Sequence, residues 1–152
     1  MVQVSQPYLT HYVFHYLIDH LELLKKNNLS ATPFRKEVLA IFARHDRAIP
    51  VSVIEQELDN YNRITLYRTI KTFIEKGIIH EIAITGEAAN YAICKDGCTH
   101  TGHHHQHLHF KCNSCAAIYC VELSTFPSVD LPGYQVDQLE VQASGICKAC
   151  NQ

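Results

Sequence analysis

No stretch of the 152-residue chain approaches the roughly 20 consecutive apolar residues that span a bilayer. The opening Met1-Val-Gln-Val-Ser-Gln-Pro lacks the basic start and long apolar run of a secretory signal, so a cytoplasmic location is expected. There is no internal repeat beyond two short Cys-x-x-Cys pairs, and no low-complexity linker apart from a His-rich run. The metalloprotease pattern HExxH is missing, and no carboxylate stands where a zinc hydrolase would need a general base, so no catalytic role is expected. Charge of one sign is also missing. The net charge is −2, and residues 1–85 carry ten Lys and Arg against nine Asp and Glu. Any nucleic-acid binding must therefore rest on local placement of cations.

What is plentiful is metal-ligating side chains. There are seven Cys and eleven His, and all seven Cys and six of the His follow residue 93. Reducing compartments keep thiols free, so these cysteines suit metal better than disulfides. Hydrophobic residues make up 47% of the chain, enough for packed cores. The asymmetry divides the chain into residues 1–85 and 86–152, with different tasks.

Apolar residues at helical spacing predict a helix from Tyr8 to Asn27. Thr32-Pro33 caps a second helix, reaching about Arg44. Ser52 with Glu55 reads as a capping box for a third. Asn62 caps a fourth, from Arg63 to Lys76, and Gly77 stops it. The β-branched run Ile78–Ile84 and the return Asn90–Ile93 predict a hairpin. This order is that of a winged helix-turn-helix domain. In the tail, His107–Lys111 and Ala117–Val121 predict strands, with a third over Gln135–Gln142. The whole is α+β: a winged helix plus a small C-terminal α/β domain.

Cys112-Asn-Ser-Cys115 and Cys147-Lys-Ala-Cys150 each set two thiolates on one tight turn. Two such turns close a tetrahedral zinc site of four cysteines with no open position, which is structural. On the fourth helix, Leu66, Ile70, Phe73 and Ile74 form the apolar stripe. Arg63, Tyr67 and Lys71 share another face, with Arg68 and Thr72 beside them. Such a face suits phosphates and base edges, and equally suits plain solvation.

Three segments carry a family resemblance: Thr32-Pro-Phe-Arg35-Lys-Glu-Val-Leu39, Ile64-Thr65-Leu66-Tyr67-Arg68-Thr69-Ile70, and Glu75-Lys-Gly77-Ile78-Ile79. With His107-Leu-His109-Phe-Lys-Cys112-x-x-Cys115 and Gly145-Ile-Cys147-x-x-Cys150, they resemble the ferric uptake regulator (Fur) family over roughly residues 30–150. The resemblance implies a homodimer joined through the tail. It implies binding of double-stranded operator DNA when a regulatory site is metallated. It implies Tyr67 and Arg68 as DNA contacts, with Thr65 and Arg35 as further candidates. No membrane and no small organic substrate are expected as partners.

A sensor also needs a weaker site. The ligands on offer are His80, Cys94, Cys98, the His-rich run and Cys120, and on a strand His105, His107 and His109 share one face. The family places regulatory ligands at the positions of His80, His107 and His109, with an acidic residue where Cys120 stands. Its zinc-sensing members are similar to this chain in carrying Cys at the position of Cys94. Iron-type members bring a further His from the DNA-binding half, where Ile49 stands here. Thiolates favour zinc over ferrous iron. The expected regulatory set is His80, Cys94, His107, His109 and Cys120, with His105 in reserve and zinc as the signal. Iron, nickel and peroxide sensing are the alternatives within the family, and a zinc store or metallochaperone is the alternative outside it. His80 also suits a plain wing position, and Cys94 and Cys120 suit small buried hydrophobes.

Overall fold

The computed structural model describes residues 20–84, 86–94, 107–137 and 139–151. The first turns of the expected N-terminal helix, with Cys98, His100 and His103, His104 and His105, lie outside the described residues.

Helix α1, described over 20–26, ends at Asn27-Asn28. Asn28 takes a positive φ of 54°, a conformation Asn tolerates well. Helix α2 spans Pro33–Arg44, with the Thr32 side chain accepting from the Arg35 amide at 3.3 Å and Pro at the first helical position. A two-residue strand β1, Ile49–Pro50, leads into α3, Val51–Glu57. The capping box expected at Ser52 is not formed. The helix begins two residues earlier, Pro50 occupies the cap with no side-chain bond, and the Glu55 carboxylate instead accepts from Arg63 Nε at 2.9 Å. Recruitment of Ile49-Pro50 into a strand fixes that earlier start.

Helix α4 spans Arg63–Glu75, and Asn62 accepts from the Thr65 amide at 3.0 Å. At its end Gly77, at φ 66°, allows the Ile78 amide to reach Phe73 O and its own amide to reach Ile74 O. This pair of bonds is a Schellman closure and needs the left-handed residue in between. The chain then runs into β2, Ile79–Ile82, and returns as β3, Asn90–Ile93. The three strands form an antiparallel sheet in the order β1-β3-β2. Leu24, Leu39, Ile41, Ile54, Leu66, Phe73, Ile78 and Ile79, all fully buried, form the core beneath it.

β3 lies beyond the expected division at residue 86, yet it pairs with β1 and β2, and Tyr91 and Ile93 pack on the first core. The first unit thus draws in the whole hairpin. The tail is a second sheet of β4 (His107–Cys112), β5 (Ile118–Glu122) and β6 (Val141–Gly145), ordered β5-β4-β6. β4 pairs antiparallel with β5 and parallel with β6. The expected third strand therefore sits further along the chain, because pairing of Cys112 with Gly145 sets its register. Gly145 is suited to that place, since a Cβ there would stand 3.3 Å from the Phe110 ring. Among the described residues all helices belong to the first unit, and the tail holds strands and turns. The molecule is α+β through the sum of the two.

The two units touch through defined contacts. The Ala48 amide donates to Ile118 O at 2.8 Å, a bridge between the wing unit and the tail sheet. Gln142 Nε2 donates to Ala83 O at 3.2 Å, and Lys111 pairs with Glu87. Ala48, Ile82 and Ile118 are buried together, with Ile84, Ala92 and Cys120 packed against them.

Candidate metal centres and nucleic-acid face

The first centre is built by the parallel pairing of β4 and β6. Cys112 ends β4, opposite Gly145, and the two Cys-x-x-Cys turns follow side by side. The sulfur atoms of Cys112, Cys115, Cys147 and Cys150 lie within 4.8 Å of one another, and Cys115 and Cys147 are 3.8 Å apart. A tetrahedral zinc with bonds of about 2.3 Å requires sulfur atoms about 3.8 Å apart, so the donor set fits that ion. The amides of Cys115 and Cys147 both point at Cys112 Sγ, at 3.5 and 3.4 Å. They hold the Cys112 thiol down at about 6. Cys150 is pushed up to about 12: a bond with Ser114 works the other way, and contacts with Cys147 and Cys115 raise it. Sulfur atoms this close do not all ionise unless a cation sits among them, which is the behaviour of metal ligands.

The second centre joins the two sheets. Strand periodicity puts His107 and His109 on one face of β4, and the β4–β5 register sets Cys120 directly opposite His109. From the wing, β2 supplies His80, which is 4% exposed. Ligand atoms of His80, His107, His109 and Cys120 all fall within 4.8 Å of one another. His107 Nε2 lies 3.0 Å from His109 Nε2 and 3.3 Å from His80 Nε2, and Cys120 Sγ lies 3.4 Å from His80 Nε2. Donor separations around a tetrahedral zinc are about 3.3 Å for two imidazoles and about 3.6 Å for imidazole and thiolate. Burial, then the neighbouring His107, push His109 down to about 4, so its imidazole is neutral and its lone pair is available.

Four of the five expected regulatory residues thus converge. Cys94 does not enter this group. Its sulfur lies 3.5 Å from Nδ1 of His80, the other edge of the same ring. Which edge it faces depends on where β3 ends, and sequence spacing does not carry that.

The third feature is the outward face of α4. Leu66, Thr69, Ile70 and Phe73 are buried, so Arg63, Ile64, Tyr67, Arg68 and Lys71 are turned outward and line one shallow depression. Of the expected DNA-contacting residues, Tyr67, Arg68 and Lys71 are exposed on this face. Arg63 is also exposed, and its guanidinium is held by Glu55 of α3. Thr65 is exposed while its amide is engaged by Asn62. Arg35 stands apart from them, bonded to the carbonyl and hydroxyl of Ser30 at 3.0 and 2.8 Å. Ile64, not among the expected contacts, is exposed on the same face. Its signal was available: it is a large apolar residue off the buried stripe.

A winged-helix unit, a sheet carrying a closed thiolate site, and a mixed His/Cys cluster at their junction define a metal-responsive transcription regulator rather than an enzyme. Residues 26–130 match the Ferric uptake regulator family. The ferric uptake regulation protein of Staphylococcus aureus is 31% identical over 138 residues, covering 87% of this chain and 96% of that protein. The chain belongs to the ferric uptake regulator family. Its fold is shared with a zinc uptake regulator solved with zinc and DNA (TM-score 0.65, 21% identity, 90% of this chain and 93% of that one). It is shared also with the Vibrio cholerae ferric uptake regulator (TM-score 0.57, 18% identity, 83% and 98%). Among the described residues, no helix is long and apolar enough to cross a membrane.

Proposed function

We propose that this chain is a zinc-responsive repressor that binds palindromic operators of metal-uptake genes as a homodimer. The observation that supports zinc most is the donor set at the junction: three imidazoles and one sulfur, with no carboxylate in the group. Such a set prefers zinc to ferrous iron, which is served by His and carboxylate. A zinc ion there would supply a positive centre that holds the four side chains together. His80 stands on β2, and the other three donors stand on β4 and β5. Ligation would therefore fix the wing unit at one angle to the tail. The closed thiolate centre, Cys112, Cys115, Cys147 and Cys150, would hold a structural zinc.

DNA binding rests on the exposed face of α4, with Tyr67, Arg68 and Lys71 as its contacts and Arg63 and Thr65 beside them. Arg35 would support the approach from the start of α2. In a dimer the two α4 helices would enter successive major-groove faces of one operator. A second copy suits the tail because Val129, Leu131, Tyr134 and Val136 are between 46% and 78% exposed there. Four exposed apolar side chains within eight residues of the chain suit a contact with a second copy. Regulation follows from linkage: zinc favours the angle that DNA also favours, so each strengthens the other's binding.

The test is retention of fragmented host genomic DNA by the purified protein while buffered free zinc is raised. Specific fragments retained only as zinc rises support the reading and identify the regulated promoters. Retention restored by ferrous iron alone refutes zinc as the signal. Absence of specific retention with either metal refutes the repressor reading and moves a zinc store ahead.

A further inference from the structure

The outward face of α4 carries one side chain that neither phosphate binding nor hydrogen bonding to bases explains. Ile64 is 64% exposed, and Tyr67, one turn further along, is 49% exposed. Around them stand Arg63, Arg68 and Lys71. Arg63 is tied to Glu55 on one side, and Lys71 reaches Glu75 at 3.9 Å. Arg68 has no ion pair among the described residues. At helical spacing Ile64, Arg68 and Lys71 fall on one line along the axis, with Tyr67 beside it. The result is an apolar spot within a cationic border, in the first turn of the second helix of a helix-turn-helix.

That position matters. The N-terminal residues of such a helix are the ones brought to base edges in the major groove. The cations match the phosphates on either side of the groove. Isoleucine has no donor or acceptor, so it discriminates among bases only by apolar contact. The major groove offers one apolar group, the C5 methyl of thymine. A guanine or cytosine edge against Ile64 would leave polar atoms dry and unpaired, which is costly.

We propose that Ile64 is a specificity-determining residue that reads a thymine methyl in each half of the operator. This rests on the DNA-binding function proposed above, and it adds an apolar base contact to that face.

The experiment uses the full-length, zinc-loaded protein and a random-sequence duplex pool. The tightest-bound sequence is selected, and each thymine in it is replaced singly by deoxyuridine, which removes only the methyl. Affinities are measured for the unaltered protein and for Ile64→Ala. Burial of one methyl group predicts that uracil at one position per half-site weakens the unaltered protein about fourfold. Ile64→Ala is expected to bind the thymine duplex more weakly and to show no further loss with uracil at that position. Ile64 is exposed, so its truncation removes little packing, and matching thermal unfolding of the two proteins checks this. Indifference of the unaltered protein to every uracil overturns the proposal. So does an Ile64→Ala variant that keeps the full uracil penalty at the same position. If selection enriches no sequence at all, the repressor reading itself fails and the role of Ile64 fails with it.

Discussion

The sulfur of Cys94 lies 3.5 Å from Nδ1 of His80, on the ring edge opposite the Nε2 that meets Cys120 at 3.4 Å and His107 at 3.3 Å. One imidazole is therefore gripped on both edges. A proton on Nδ1 donated to the Cys94 sulfur leaves the Nε2 lone pair facing the cluster. Metal-binding histidines are commonly oriented in this way by a partner on the far nitrogen.

Substitution of the two cysteines should separate their roles. With the structural site still filled, cobalt loaded into the junction site should show a thiolate charge-transfer band. Cys120→Ser is expected to abolish that band. Cys94→Ser should keep it and weaken metal binding by about tenfold, the usual scale for losing an orienting partner. Equal loss of the band in both variants would make Cys94 a ligand.

Metal stoichiometry offers a second check. Native mass spectrometry is expected to find two zinc ions per unaltered chain and one in His80→Ala. Cys147→Ser should fail differently, because it opens the closed site that binds β6 to β4. Its tail should be unfolded by hydrogen exchange, while the wing unit keeps its protection. Two ions retained by His80→Ala would place the second ion elsewhere.

Ala116 offers a stabilising change. It follows Cys115 directly and sits at φ 59°, where a Cβ is strained. Ala116→Gly relieves that strain at some cost in chain entropy, for a net gain of about 0.5 to 1 kcal/mol. Denaturant unfolding of the zinc-loaded protein measures it. A loss of stability would show that the methyl group contributes packing that outweighs the backbone strain.

Glu57 predicts a pH effect. Arg44, at 2.6 Å, then His45, at 2.5 Å, hold its carboxyl below the usual range, and burial works the other way. A carboxylate depressed in the folded state contributes stability above its unfolded pKa and loses it as pH falls through the folded one. Glu57→Gln should therefore cost less than about 1 kcal/mol at neutral pH, the scale of a solvated ion pair. The difference from the unaltered protein should close on acidification through the carboxylate range. A gap that stays constant with pH would mean that shape, not charge, is what Glu57 supplies.

Much of the molecule was legible locally. Thr32-Pro33, Asn62 and Gly77 act within a few residues of themselves, and they bound α2 and α4 as their chemistry dictates. The two Cys-x-x-Cys turns and the alternation of His107 and His109 are equally local. What escaped depends on distant partners. Pro50 displaces the Ser52 cap because Ile49-Pro50 pairs with residues 90 and 91. β6 is set by β4, not by its own alternation. The direction in which Cys94 faces depends on the pairing of β3 with β2, which no spacing reveals.

The Ala48–Ile118 bridge joins these observations. Ile118 and Cys120 lie on the same face of β5, and Ala48 directly precedes β1, which runs into α3. The strand that carries a metal-ligand candidate is thus spliced by a backbone hydrogen bond to the leading edge of the helix-turn-helix. A displacement of β5 at Cys120 would have a route to α3 made of backbone alone: the Ile118 carbonyl, the Ala48 amide and β1. Sensitivity in this protein would then be tuned by the choice of donor at the junction, while the transmission itself stays constant.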